Sequence, residues 1–156
     1  MEFVQVDIIG LSTSPSSGGA YALVLGEVDG NRRLPIIIGA FEAQAIALEL
    51  EKIQPPRPMT HDLLANMISA LGGTVERVTV TKLKDNTFYA IVSVSTPDRN
   101  FEIDARPSDA IALALGVASP LYLSNRLLGG EAGWPEALRH GKQPRERIEI
   151  RIEETF

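Results

Sequence analysis

Two stretches of the chain follow one pattern at an offset of 65 residues. Ile36-Ile-Ile-Gly-Ala-Phe-Glu-Ala-Gln-Ala-Ile-Ala-Leu-Glu-Leu50 aligns with Phe101-Glu-Ile-Asp-Ala-Arg-Pro-Ser-Asp-Ala-Ile-Ala-Leu-Ala-Leu115. Each passes from an extended apolar run, through a turn, into Ala-Ile-Ala-Leu-x-Leu. Such a repeat limits the fold strongly, because each copy must bury the same apolar stripe against a similar surface. Two copies point to a duplication, since a solenoid needs at least three.

The flanks predict three strands before each helix. In the first copy, Phe3 to Ile9 and Tyr21 to Val28 have strand character, separated by a Ser/Pro/Gly-rich loop from Ser12 to Gly19. Asp29-Gly30 turns the chain toward Leu34 to Ile38. In the second, Val75 to Leu83 and Phe88 to Val94 are joined by Lys84-Asp85-Asn86-Thr87, and Pro97-Asp98 leads into Phe101 to Ala105. The repeat helices are expected over Phe41 to Ile53 and Pro107 to Leu115. Pro107 suits the first helical position, where its missing N–H costs nothing. Between the copies, Pro55-Pro56-Arg57-Pro58 is a stiff connector. Thr60 is placed to cap a helix from His61 to Leu71, whose apolar face is Leu63, Leu64, Met67, Ile68 and Leu71.

The predicted fold class is therefore α+β: duplicated β-β-β-α units with a connecting helix and a mostly antiparallel sheet. Leu121 to Leu123 reads as a further short strand. Residues 1–125 form the predicted domain, and 126–156 a C-terminal extension packed on it. Within the extension, Gly129-Gly130 reads as a break, Trp134 to Leu138 as a short helix and Ile148 to Ile152 as a half-exposed strand.

Composition sets the exclusions. A chain of 156 residues fits one domain. It has no cysteine, which removes a disulfide framework, a thiolate zinc site and a thiol nucleophile. A net charge of −5 without a basic stripe argues against broad electrostatic binding of nucleic acid. Met1 to Asp7 lacks a signal-peptide pattern, and no apolar run is long enough to span a bilayer. The expected compartment is cytoplasmic, with no membrane partner. P-loop, dinucleotide-binding, His-Glu-x-x-His and Gly-x-Ser-x-Gly motifs are absent.

The two copies serve as an internal control. They share an apolar frame, but Ile37 becomes Glu102, Gly39 becomes Asp104, Phe41 becomes Arg106 and Gln44 becomes Asp109. Glu102, Asp104 and Arg106 fall on one strand face. A plain alternative makes this a solvated face, with Asp109 favouring the helix dipole. However, Ile36 to Ile38 is apolar on both faces, which suggests an interior strand with a covered twin. Covered charges need partners, because stranding one costs about 3–5 kcal/mol. That selects Asp104 with Arg106. The other polar cluster is Arg57-Pro-Met-Thr-His-Asp62. Capping and the helix dipole account for Thr60 and Asp62. His61 is a proton-transfer candidate, Arg57 suits an anion, and Glu42 at the first repeat helix is a further acid.

Three motifs carry a resemblance. Leu34-Pro-Ile-x-Ile-Gly-x-Phe-Glu-Ala-Gln-Ala-Ile-Ala-Leu48, then Arg57-Pro-x-Thr-His-Asp-Leu63, then Ile103-Asp-Ala-Arg-Pro-Ser-Asp-Ala-Ile-Ala-Leu113 resemble the bifunctional nuclease domain family, over Val4 to Leu123. The resemblance implies cleavage of both RNA and DNA with low sequence specificity. On that reading Asp104 and Asp109, with Glu42 or Glu102, would hold a divalent cation such as Mg²⁺ through oxygen ligands. Arg106 and Arg57 would bind phosphate, and His61 with Asp62 would handle a proton. The rival reading is a non-catalytic oligomeric module in which Asp104, Arg106 and Asp109 form a buried ion network. Apolar helices and strand edges lead to the expectation of a homo-oligomer, most simply a dimer.

Overall fold

The computed structural model describes residues 3–13 and 20–128. The features expected at Gly129-Gly130, Trp134 to Leu138 and Ile148 to Ile152 lie outside the described residues. The first half runs β1 (Phe3–Thr13), β2 (Tyr21–Glu27), β3 (Arg33–Ile38) and α1 (Ala40–Leu50). The helix α2 (Thr60–Ala70) leads into β4 (Thr74–Lys84), β5 (Thr87–Ser95), β6 (Asn100–Ala105) and α3 (Pro107–Gly116). The strand β7 (Leu121–Ser124) and a short 3₁₀ turn at Asn125–Leu128 follow. The fold class is α+β, as the periodicity indicates.

Seven strands form one sheet in the order β3-β2-β1-β7-β4-β5-β6. Every neighbouring pair is antiparallel except β4 with β7. Turn chemistry explains the tight connections. Asp85 and Asn86 both take positive φ, 52° and 60°, the two-residue hairpin geometry that Asp and Asn tolerate. The Pro97-Asp98 turn is closed by Thr96 and Arg99, whose backbone groups bond at 2.9 Å.

α3 packs against α1 and α2 and over β4 and β5. Inward residues of the strands, including Val78, Val80, Ala90, Val92 and Val94, meet Ile46, Ala110, Ile111 and Ala114 of the helices. Each fully buried large aliphatic contributes about 1.5–3 kcal/mol. Leu127 and Leu128 join this core, just beyond the domain boundary expected at residue 125. Among the described residues, no helix is long and apolar enough to cross a membrane.

Several expectations are corrected. The α2 helix starts one residue early, with Met59 rather than Thr60 as its N-cap. β3 is an edge strand and not an interior one; its apolar residues Leu34, Ile36 and Ile38 are buried all the same. β6 is the opposite edge, and Glu102 and Asp104 on it are exposed. The predicted cover over Asp104 is therefore missing. The matching elements are also offset differently: β3 and β6 start 67 residues apart, at Arg33 and Asn100, as do α1 and α3 at Ala40 and Pro107. At that offset Asp109 corresponds to Glu42, Arg106 to Gly39 and Asp104 to Ile37. Asp109 is therefore no novelty of the second half.

Candidate functional site

Two polar clusters lie at opposite ends of the α1–α3 contact. At the helix starts, Arg106 precedes Pro107 in extended backbone, φ −69° and ψ 142°. Its Nε donates to Asp109 Oδ2 at 2.8 Å and its Nη2 to Glu42 Oε1 at 3.0 Å. Glu42 and Asp109 are both third residues of their helices, so each also faces the positive end of a helix dipole. The hydrogen bond and charge of Asp109, and then the hydrogen bond to Glu42, raise the Arg106 pKa above its usual value. This network is open, with 67% of the Arg106 side chain exposed. It is not the buried ion network of the rival reading. Gly39 has a reason here, since a Cβ there would come within 2.5 Å of Glu42 Oε2.

Asp104 does not belong to this cluster. It makes no hydrogen bond or ion pair with Arg106 among the described residues. In β6 it lies opposite Ile91, on the same sheet face as Glu102 opposite Ser93. Between Ser93 and its neighbours the parity is clear: Val92 and Val94 point to the helix-covered core. Glu102 and Asp104 therefore point to the other side of the sheet. Glu102 accepts a hydrogen bond from Ser93 Oγ at 2.8 Å and lies 3.8 Å from Arg77. These residues line a shallow pocket of about 290 Å³ with Phe3, Tyr122 and Ile91. The sheet thus separates Asp104 and Glu102 from the helical clusters.

The second cluster forms where α1 ends, α3 ends and α2 begins. His61 is only 6% exposed. Its Nε2 lies 2.8 Å from Glu49 Oε1 and 3.4 Å from Asp62 Oδ1. The Glu49 carboxylate can only accept, so the imidazole N–H donates in this contact. The other Asp62 oxygen, Oδ2, accepts the Met59 backbone N–H at 2.8 Å, which fixes the carboxylate's orientation. Glu49 and Asp62 side chains are 26% and 31% exposed, so the buried imidazole meets solvent through two carboxylates. Gly116 of α3 closes the third side, where a Cβ would sit 3.5 Å from both Glu49 and His61.

One imidazole nitrogen and two carboxylate oxygens here lie within 4.8 Å of one another, a spacing that could hold a metal ion. A mixed nitrogen and oxygen donor set suits Zn²⁺ or Mn²⁺ better than an all-oxygen Mg²⁺ site. Glu42 and Asp109, expected as ligands, instead share Arg106. Arg57 is exposed in the connector four residues before His61, with no recorded partner among the described residues. Glu42 and Glu49 are seven residues apart on α1, so the two clusters are separated by about 10 Å along the helix.

Glu49 escapes the sequence reading. Its signal was present in the repeat: at the 65-residue offset, Glu49 stands against Ala114 in an otherwise matched apolar helix. An acid kept on a helix that packs against another helix needs a partner. The partner, His61, lies in a different element and only the fold reveals it.

Comparison with known proteins gives the lineage. The chain is 47% identical over 106 residues to an uncharacterized protein of Mycobacterium tuberculosis, a match covering 68% of this chain and 63% of that relative. It is 26% identical over 111 residues to bifunctional nuclease 1 of Oryza sativa subsp. indica, covering 69% of this chain and 34% of the rice protein. Bifunctional nuclease 1 of Arabidopsis thaliana is 28% identical over 110 residues, with 68% and 34% covered. The chain thus spans less than two thirds of the length of these relatives. The profile of the bifunctional nuclease domain matches residues 23–133, which include β3, all three helices and both polar clusters. This chain belongs to the bifunctional nuclease domain family.

Proposed function

We propose that this protein is a nuclease that hydrolyses phosphodiester bonds in RNA and DNA with little sequence preference, dependent on a divalent cation. The observation that carries the reading is the Glu49–His61–Asp62 group inside the matched family domain. Glu49, His61 and Asp62 would hold the cation, which supplies a Lewis acid and an activated water when bound. Three protein ligands leave coordination positions for water and a phosphate oxygen. As a ligand His61 would present its Nε2 lone pair, with the ring proton on Nδ1, and the Met59 N–H keeps Asp62 in place. Arg57, stiffened by flanking prolines four residues before His61, would provide a phosphate contact. Arg106 serves as a second phosphate contact further along α1, its charge secured by Asp109 and Glu42. In this scheme Asp104 and Glu102 have no catalytic part.

The test uses purified protein on labelled single-stranded RNA and DNA. EDTA should abolish cleavage, and Mn²⁺ or Zn²⁺ should restore it better than Mg²⁺. Glu49→Gln and His61→Asn should each lower activity by about 100-fold or more, the scale of losing a metal ligand or its orienting partner. Loss of activity in Asp104→Asn, with Glu49→Gln unaffected, would move the site to the far sheet face. Full activity in EDTA would refute the cation.

A further inference from the structure

The face of the sheet away from the helices holds a pocket that the nuclease reading does not use. Its volume is about 290 Å³, near the lower end of the roughly 300–1,000 Å³ of small-molecule sites. Strand register builds it. Thr79 of β4 lies between Ile91 of β5 and Tyr122 of β7, in one row across the sheet. Arg77 opposite Ser93, and Ser93 opposite Glu102, form the next row on the same face. Phe3 of β1 stands diagonal to Tyr122, because its own partner is Ser124. One end of the pocket is therefore aromatic and the other charged. Two hydroxyl residues on its wall are buried. Ser93 is 4% exposed and donates its proton to Glu102. Thr79 is 7% exposed, and its hydroxyl has no hydrogen-bond partner among the described residues. Buried polar groups are almost always paired, so this hydroxyl is left to whatever enters the pocket. Arg77 and Glu102 are 3.8 Å apart, too far for a hydrogen bond. Each keeps capacity for a third group.

We propose that this pocket binds a guanine base, with the ring against Tyr122 and Phe3 and its amide edge on Glu102 and Arg77. The chemistry of the wall selects the ligand. A carboxylate only accepts and a guanidinium only donates. The matching edge carries N–H donors beside a carbonyl. Guanine has this edge: two adjacent donors, N1–H and the 2-amino group, next to the O6 acceptor. Glu102 takes the donors and Arg77 takes O6. Uracil and thymine flank one donor with two acceptors, one of which would face the carboxylate. Adenine and cytosine offer Glu102 one amino group in place of two donors. Charge points the same way. Glu102 and Arg77 are the only charged residues of the lining and they cancel, so a neutral ring fits better than a phosphate. Unpaired bases are commonly held by stacking on an aromatic side chain with hydrogen bonds to the Watson–Crick edge. Both a free nucleotide and a single strand carry such a base, and the shallow pocket leaves sugar and phosphate in solvent. The inference does not rest on the nuclease reading, whose groups lie across the sheet.

The test is binding of guanosine monophosphate to the full chain, with EDTA present so that cleavage plays no part. NMR of the labelled protein should show saturable shifts in β4, β5 and β7 around Thr79, Ile91 and Tyr122. Inosine monophosphate lacks only the 2-amino group and should bind about tenfold more weakly, the scale of one lost edge contact. Glu102→Gln should lower the affinity for guanosine monophosphate by a similar factor and narrow its margin over inosine monophosphate. Thr79→Val should weaken binding without lowering the melting temperature, because the hydroxyl has no protein partner to lose among the described residues. A purely structural Thr79 would lower the melting temperature and leave binding alone. An oligothymidine strand with one guanine, compared with the same strand without it, separates the two sources. Tighter binding than the mononucleotide assigns the site to single strands, and weaker or equal binding assigns it to free nucleotides. Equal affinity for adenosine, cytidine and guanosine monophosphates would overturn the proposal. So would shifts confined to the region of Glu49, His61 and Asp62. No binding at all, as when residues 129–156 occupy the pocket, would overturn it equally.

Discussion

Asp62 has two oxygens with different partners, and a substitution can separate them. Asp62→Asn keeps an acceptor for the Met59 N–H but removes a negative charge from the His61 group. Asp62→Ala removes both. Asn should therefore leave the melting temperature nearly unchanged while abolishing cleavage, and Ala should also cost about 1 kcal/mol, the value of a lost helix-start hydrogen bond. Chemical denaturation and an activity assay on the same samples check this. A second residue-scale expectation concerns acid. Hydrogen bonds from the Arg32 side chain and backbone lower the Glu27 pKa from its ordinary 4.5. The sign follows: the stabilisation is complete above the ordinary value and lost as pH falls through the lowered folded one. Arg32→Ala should move the Glu27 titration, followed by NMR, back up toward 4.5, though not completely, because the Arg32 backbone N–H still donates at 3.1 Å.

Among the elements, β1 carries the most instructive irregularity. Its register with β2 slips between Ile8 and Gly10, which makes Ile9 the extra residue of a bulge. The Ile9 side chain lies over Gly26, where a Cβ would collide with Ile9 Cδ1 and Cγ1. Gly26→Ala should destabilise the protein by about 1–3 kcal/mol, as overpacking does. Adding Ile9→Ala should return part of that loss, so a double-mutant cycle by denaturant melts should give a clear coupling energy. Purely additive effects would mean that Ile9 moves aside at no cost. The helices repeat the lesson of close approach: Ala43, Ala47, Ala110 and Ala114 are all nearly fully buried, and their small side chains let α1 and α3 run side by side. That proximity brings Glu42 to Arg106.

At the scale of the whole molecule, a cation that binds only the folded chain must raise its stability. At a concentration of 100 times the dissociation constant the gain is about 2.7 kcal/mol. For a chain of this size that is roughly 5–11 °C in melting temperature, at about 2–4 °C per kcal/mol. The shift should appear with the wild type and vanish in Glu49→Gln, while Asp104→Asn keeps it. Equal shifts in all three proteins would place the cation elsewhere. β7 makes the molecule one unit. It sits between β1 and β4 and so joins the two three-strand meanders into a single sheet.

The sequence by itself determined the local structure and the lineage. Alternating apolar residues specified the strands, Asp85-Asn86 the hairpin, and Pro107 the start of α3, because each depends on neighbours a few residues away. The three family motifs were legible for the same reason. Tertiary structure decided what lies across space. It set the strand order, placed β3 and β6 at the edges, and turned the Leu63–Leu71 stripe outward. It separated Asp104 from Arg106 by ending strand alternation at the turn, and it joined Glu49 to His61, which are 12 positions apart in the chain. No periodicity encodes such a pair, since its geometry exists only once α1, α2 and α3 are packed together.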